Sequence, residues 1–225
     1  MISMKNTLLV KVTERWNDKI QVEGGHVIYI DVSYSPKHHI SIEGEVSAIP
    51  KVVSPKPKKE SKSHTYAEGI VPEIKIGDRA YFHFNTICEE NLVLIKGVEH
   101  YKVGYENVFC VKRDEELIMI GGWCLVEEII EGEDYGSLIN PHKEQSKYEG
   151  VLRHIGTPRG TKNLPHYFDG VVVEIKPGDR VFFREFSRFE NQIDGKKYFC
   201  MRQEDIWAFM GNEEVPSDLA HSLLA

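Results

Sequence analysis

Fourteen residues, Gly69 to Phe82 (GIVPEIKIGDRAYF), return at Gly170 to Phe183 (GVVVEIKPGDRVFF), displaced by 101 residues. Nine of the fourteen positions are identical, and most of the others exchange one apolar residue for another. Self-similarity at a fixed displacement marks a duplicated folding unit and governs how the rest of the chain is read. The chain therefore reads as two modules of about 100 residues each, a common domain size. The first is expected over residues 1–120 and the second over 121–225. A module this small buries a modest core and is marginally stable alone, so association with neighbours would help it.

Composition narrows the function. With 28 basic and 35 acidic residues the formal charge is −7, which argues against a nucleic-acid partner. The four cysteines, Cys88, Cys110, Cys124 and Cys200, lack any CxxC spacing and are expected to be reduced strand residues. Cys110 (NVFCV) and Cys200 (KYFCM) are expected at equivalent places in the two modules. Residues 1–9 carry no signal-peptide pattern, and no window is long and apolar enough to span a bilayer. The expectation is a cytoplasmic protein without a membrane partner.

Strand signals dominate. Leu8–Val12 (LLVKV), His26–Tyr34 (HVIYIDVSY) and Glu45–Ile49 are short, apolar and rich in β-branched residues. Lys51–Ser63 (KVVSPKPKKESKS) reads as an exposed loop from its Pro, Lys and Ser content. In the repeat, Gly77-Asp78 and Pro177-Gly178-Asp179 are turns between strands. Asp194-Gly195 is a two-residue hairpin signal, with Lys197–Arg202 returning and Ile206–Met210 following. In the first copy the return is expected at Asn107–Lys112, then Leu117–Ile120, so the displacement falls to about 90 residues. Only Ser217–Ala225 suggests a helical turn. Many short strands between turns predict an all-β fold of two tandem β-barrel modules. Gly121-Gly122 would be the joint, and Trp123–Glu127 (WCLVE) would open the second copy as Leu8–Val12 opens the first.

Glu174–Met210, EIKPGDRVFFREFSRFENQIDGKKYFCMRQEDIWAFM, resembles the C-terminal half of the GroES-type co-chaperonin family, with its VKxGDxVLF and LDGxEYLxxRExDILA patterns. The matching positions are Ile175, Gly178, Asp179, Val181, Phe183, Asp194, Gly195, Tyr198, Arg202, Asp205, Ile206 and Ala208. Ser137–Gly156 and Gly24–Ile49 look like the family's flexible loop with the strand after it, so the resemblance covers nearly the whole chain twice, as in tandem co-chaperonins.

The resemblance implies GroES-like barrels that form a homo-oligomeric ring and cap a GroEL-type chaperonin, with no enzymatic chemistry. Docking would fall to Val27, Ile28 and Tyr29 in the first copy and to Ser137, Leu138 and Ile139 in the second. The first stretch reads two ways, as a docking loop or as a strand in a sheet; the second is a docking loop or an ordinary surface loop. Roof excursions would occupy Lys51–Gly69 and Thr157–Gly170. Terminal strands of neighbouring modules pair in the family, which here implicates Leu8–Val12, Trp123–Val126, Leu117–Ile120 and Ile206–Met210.

No cofactor and no metal are expected, because the ten histidines make no zinc-like spacing with Cys or Asp. No glycine fingerprint of a dinucleotide-binding domain follows either barrel, which sets a dehydrogenase aside. The competing reading is a structural or assembly protein, for example a viral component, that keeps the barrel without chaperonin docking.

Overall fold

Both copies of the repeat close one turn with the same four hydrogen bonds. Lys75 N–H donates to Asp78 Oδ2 (2.7 Å) and Lys176 N–H to Asp179 Oδ2 (2.8 Å). Asp78 N–H and Asp179 N–H return to the carbonyls of Lys75 and Lys176. Gly77 N–H and Gly178 N–H donate to the carbonyls of Val46 and Leu152, whose own N–H groups donate to the carbonyls of Asp78 and Asp179. Gly77 and Gly178 adopt φ of +92° and +102°, a region a side chain disfavours, and this is why glycine recurs at that turn position.

The structure is a computed structural model. It describes residues 2–3, 6–13, 15–16, 18–22, 25–31, 33, 40–53, 72–131, 144–156, 167–168, 171–172, 175–184 and 189–211. The chain divides into two compact units, Met1–Gly121 and Gly122–Ala225. The first holds β1 (Ile2–Ser3), β2 (Thr7–Lys11), β3 (Lys19–Gln21), β4 (Val27–Tyr29), β5 (Glu43–Pro50), β6 (Arg79–Phe82), β7 (Leu92–Ile95), β8 (Val98–Gly104), β9 (Val108–Arg113) and β10 (Glu116–Met119). The second holds β11 (Trp123–Glu131), β12 (Glu144–Ile155), β13 (Tyr167–Phe168), β14 (Val171–Val172), β15 (Arg180–Phe183), β16 (Phe189–Ile193), β17 (Lys196–Arg202) and β18 (Ile206–Met210). The fold is all-β, with short 3-10 turns as its only described helical pieces.

The main sheet of the first unit runs β7-β8-β2-β5-β6-β9-β10, and that of the second runs β16-β17-β11-β12-β15-β18. Counted from β7 and β16, the two orders are the same for six strands. In the first unit Leu8, Val10, Val46, Phe82, Tyr101 and Val111 from five strands meet in one buried cluster. Side chains alternate across a strand, so one face of each strand supplies this core and the sheet must curl around it. Cys124, Leu152, Val181, Phe183, Phe199 and Ile206 do the same in the second unit.

Three expectations need correction. First, β7 and β8 turn at Lys96-Gly97, and β16 and β17 at Asp194-Gly195, both with positive φ at both turn residues. This pairing sets the displacement at 98 residues, so the first copy is longer by 3 residues and not by about 11. The counterpart of Lys197–Arg202 is therefore in Val98–Gly104, and Asn107–Lys112 corresponds to the Ile206–Met210 strand. Second, Cys110 lies on β9 and Cys200 on β17, so they are not equivalent; Cys200 stands where the first unit has Lys102. Third, Leu8–Val12 and Trp123–Val126 are not edge strands. β2 bonds to β5 and β8, and β11 bonds to β12 and β17, each within its own unit.

The roof excursions lie largely outside the described residues, except for Lys51–Val53 and the small β13–β14 hairpin, Tyr167↔Val172 and Phe168↔Val171. The tail 217–225 also lies outside them.

Candidate functional site

Each unit has a connection at the matching place in its strand order: β2 to β5 in the first, β11 to β12 in the second. Lys11↔Glu45 and Glu127↔Val151 are the corresponding pairs near their bases. In the first unit an isolated bridge, Trp16↔Ile40, and a hydrogen bond from Ser41 N–H to the Arg15 carbonyl (2.9 Å) gather the base of the excursion. The Arg15 guanidinium lies 5.2 Å from the Trp16 ring centre, a cation–π distance.

Beyond this base, β3 and β4 form a two-stranded hairpin with Lys19↔Tyr29, Ile20↔Ile28 and Gln21↔Val27 opposite one another. Its ladder is closed at one end by Ile30 N–H to the Asp18 carbonyl (2.7 Å) and at the other by Val22 N–H to the His26 carbonyl (3.0 Å). Gly25, with φ of +76°, makes the turn between the strands. Ser33 donates to the Asp31 carboxylate and holds it below the ordinary carboxylate range, which fixes the exit of the hairpin.

The expected docking residues Val27, Ile28 and Tyr29 are the whole of β4, with exposures of 44%, 53% and 69%. Successive strand residues point to opposite faces, so three consecutive exposed residues mean that neither face of this strand is packed. The structure thus decides for a strand, but for a strand of a solitary hairpin outside the barrel core. A lone two-stranded hairpin is at best marginally stable in water, which leaves it able to rearrange on contact with a partner. Its chemistry is that of an apolar contact: two aliphatic side chains and one amphipathic ring.

Ser137, Leu138 and Ile139 lie outside the described residues. The strands flanking them converge, since Glu131↔Glu144 is the last pair of the β11–β12 ladder. Sequence reasoning missed β3, the partner strand of the hairpin. Its signal was there in two short runs, Lys19–Val22 and His26–Ile30, separated by a turn with Gly24-Gly25.

A comparison with protein families matches residues 116–210 to the chaperonin 10 kDa subunit family. The co-chaperonin GroES of Halalkalibacterium halodurans is 31% identical over 94 residues, which cover 41% of this chain and 96% of the relative. The chain belongs to the chaperonin 10 kDa family. The co-chaperonins GroES of Natranaerobius thermophilus (32% identical over 91 residues, 37% of this chain and 87% of the relative) and Desulfatibacillum aliphaticivorans (34% over 74 residues, 32% and 72%) agree. In this family member the matched stretch opens at β10, the strand that ends the first unit's sheet, and closes with β18.

Among the described residues no group of three or more His, Cys, Asp or Glu is placed to hold a metal ion, and no helix is long and apolar enough to cross a membrane. The four cysteines are free thiols. Burial pushes the Cys200 thiol up to about 12, opposed by a hydrogen bond from Asn191, and burial raises Cys124 further still. Cys110 is fully buried, whereas Cys88 is partly exposed. Thiolate formation and access both govern reactivity. Native protein is therefore expected to show one readily titrated thiol, Cys88, and four after denaturation, as measured with a chromogenic disulfide reagent. Two or more fast thiols in the native state would contradict the packing of β9, β11 and β17.

Proposed function

We propose that the chain is a cytoplasmic, non-enzymatic co-chaperonin that assembles into a ring and caps a GroEL-type chaperonin, and that both units are modules of the chaperonin 10 kDa family. The observation that carries this reading is the 31% identity extending over 96% of a relative named as a co-chaperonin. The extension to the first unit is supported by the shared order of six strands and by the four matching hydrogen bonds at the Gly-Asp turn. Docking falls to Val27, Ile28 and Tyr29 on the solitary hairpin and to Ser137, Leu138 and Ile139 at the equivalent connection of the second unit.

A capping protein must bind and then leave. An apolar contact on a segment that reorganises on binding gives moderate, reversible affinity, because part of the interaction energy is lost in ordering. Several such contacts on one ring then reinforce one another through effective concentration.

The test is co-sedimentation of the full chain with a double-ring chaperonin and ATP. Ile28→Asp is expected to weaken binding by about tenfold or more, as for an apolar anchor at the centre of a contact. It should leave unfolding unchanged, because Ile28 is exposed. Leu138→Asp should act in the same direction. Absence of wild-type binding across chaperonins with nucleotide would sink the capping role.

A further inference from the structure

Among the described residues, two buried side-chain atoms lack a hydrogen-bond partner: Arg15 Nε and Tyr101 Oη. A buried polar group left unpaired costs stability, so each calls for a physical account. Tyr101 lies on β8 opposite Val10 of β2, and its ring belongs to the core cluster against which Ile40 packs. Trp16 bridges to Ile40, and the Arg15 carbonyl accepts from Ser41 N–H. The base of the excursion therefore brings Arg15 to the end of the core where Tyr101 stands.

Glu99 precedes Tyr101 by two residues on β8, so it shares the face of Tyr101, and it is exposed. Burial raises the Tyr101 hydroxyl above its ordinary range; Arg15 opposes this and Glu99 adds to it, so both charges act on the hydroxyl. A cation, a carboxylate and a hydroxyl converge here, yet Arg15 Nε is unbonded and no ion pair joins Arg15 to Glu99.

The second unit makes the corresponding tie with the charges exchanged. Val126↔Phe199 is the counterpart of Val10↔Tyr101. Two residues before Phe199, Lys197 stands in the place of Glu99; two residues after Val126, Glu128 stands in the place of Val12. Lys197 Nζ lies 3.2 Å from Glu128 Oε2, 3.3 Å from Glu190 Oε2 and 5.9 Å from the Phe199 ring centre. An ion pair thus ties β17 to β11 at the base of the β11–β12 connection, and Phe199 has no hydroxyl to satisfy. In the first unit Val12 offers Glu99 no charge, and Arg15 supplies the cation three residues later.

We propose that the first unit makes this tie as a latch, in which Arg15 pairs with Glu99 and the Glu99 carboxylate also accepts from the Tyr101 hydroxyl. One carboxylate has lone pairs for both donors, and both unpaired atoms are then satisfied. The guanidinium can keep its place on Trp16, because a cation–π contact uses its face and hydrogen bonds use its edge. A latched base holds the β3–β4 hairpin in one orientation and so lowers the ordering cost of docking. Only this last consequence rests on the docking reading.

Hydrogen exchange of the full chain, read in peptides spanning Arg15 and Ser41, tests the latch. Glu99→Arg and Arg15→Glu should each speed exchange there by about fivefold, as the loss of one partly exposed ion pair would. The two reversals together should recover most of the protection. Tyr101→Phe should also speed exchange, because it takes a donor from the latch; removing a hydroxyl that stays unpaired would slow it instead. Glu99→Gln, at an exposed position that leaves the core intact, should act in the same direction as Glu99→Arg. No rescue by the double reversal, slower exchange in Tyr101→Phe, or unchanged exchange in Glu99→Gln would overturn the latch. Co-sedimentation with a chaperonin and ATP reads the consequence separately: Glu99→Arg should weaken binding and the double reversal restore it. Rescue in exchange without any change in co-sedimentation would overturn the link to docking alone. A wild type that binds no chaperonin would sink docking, while exchange still decides the latch.

Discussion

Gly150→Ala is expected to destabilise the second unit by about 3 kcal/mol, the upper part of the usual range for forcing an extra methyl into a packed site. A Cβ at Gly150 would lie 2.4 Å from Val126 Cγ1 and 2.6 Å from the Glu127 carbonyl oxygen. Real Cβ contacts are not that short, and neither neighbour can retreat easily: Val126 is fully buried and Glu127 offers its backbone. The same collision recurs at Gly44, where a Cβ would lie 2.6 Å from both the Lys11 carbonyl oxygen and Val10 Cγ1. Gly44→Ala should therefore weaken the first unit to a similar degree. Amide exchange read by peptide would separate the effects, since each substitution should loosen peptides of its own unit. A melting temperature within a degree of wild type for either variant would contradict this close approach of strands.

Asp78→Ala is expected to remove about 2 kcal/mol from the first unit, because it takes the carboxylate acceptor from Lys75 N–H and from Arg113 in a partly buried ion pair. The Asp78 side chain is 3% exposed and accepts from Arg113 Nε (2.8 Å) and Nη2 (2.7 Å) as well as from Lys75 N–H. The Arg113 guanidinium also donates to the Glu73 carbonyl (2.8 Å), so the pair ties the segment before the turn to β9. Asp179 makes the same backbone bond in the second unit, but Gly211 stands where Arg113 would be. Asp179→Ala should consequently cost less, about 1 kcal/mol for one lost hydrogen bond. Acid stability follows from the same geometry. Burial pushes the Asp78 carboxyl upward, but the bonds from Arg113 and Lys75 outweigh it and hold the group below the ordinary carboxylate range. The unfolded chain therefore takes up this proton first as pH falls. The stabilisation is complete above the unfolded value of about 4 and disappears as pH drops through the lower folded value. Asp78→Ala should flatten the acid limb of the first unit's stability curve, measured by urea unfolding between pH 2 and 6. An unchanged slope would mean that the pair does not persist in solution.

Turn chemistry was the most legible part of the sequence. Lys75-Ile76-Gly77-Asp78 and its copy announced a turn between strands at matching places, and the structure closes both turns with the same hydrogen bonds around a glycine of positive φ. Strand composition was less informative. The Phe-Cys pairs of β9 and β17 look alike, yet they lie on different strands of the module, because apolar residues suit any strand facing a core. Register was set instead by Lys96-Gly97 and Asp194-Gly195, whose backbone geometry fixes what lies opposite what. The candidate site was legible only in part. Val27-Ile28-Tyr29 has the composition of a buried strand, and its exposure depends on the absence of a packed neighbour, which no local pattern encodes.

The strand order also bears on how the protein is made. β2 leaves the ribosome early, yet it pairs along one side with β8, as in Leu8↔Val103, and along the other with β5. Nascent chains lengthen by about 5–20 residues per second, so Leu8 and Val10 wait several seconds for one of their two neighbours. During that interval the apolar face of β2 is a target for other nascent chains, so polysome crowding is a hazard the chain meets in its own biosynthesis.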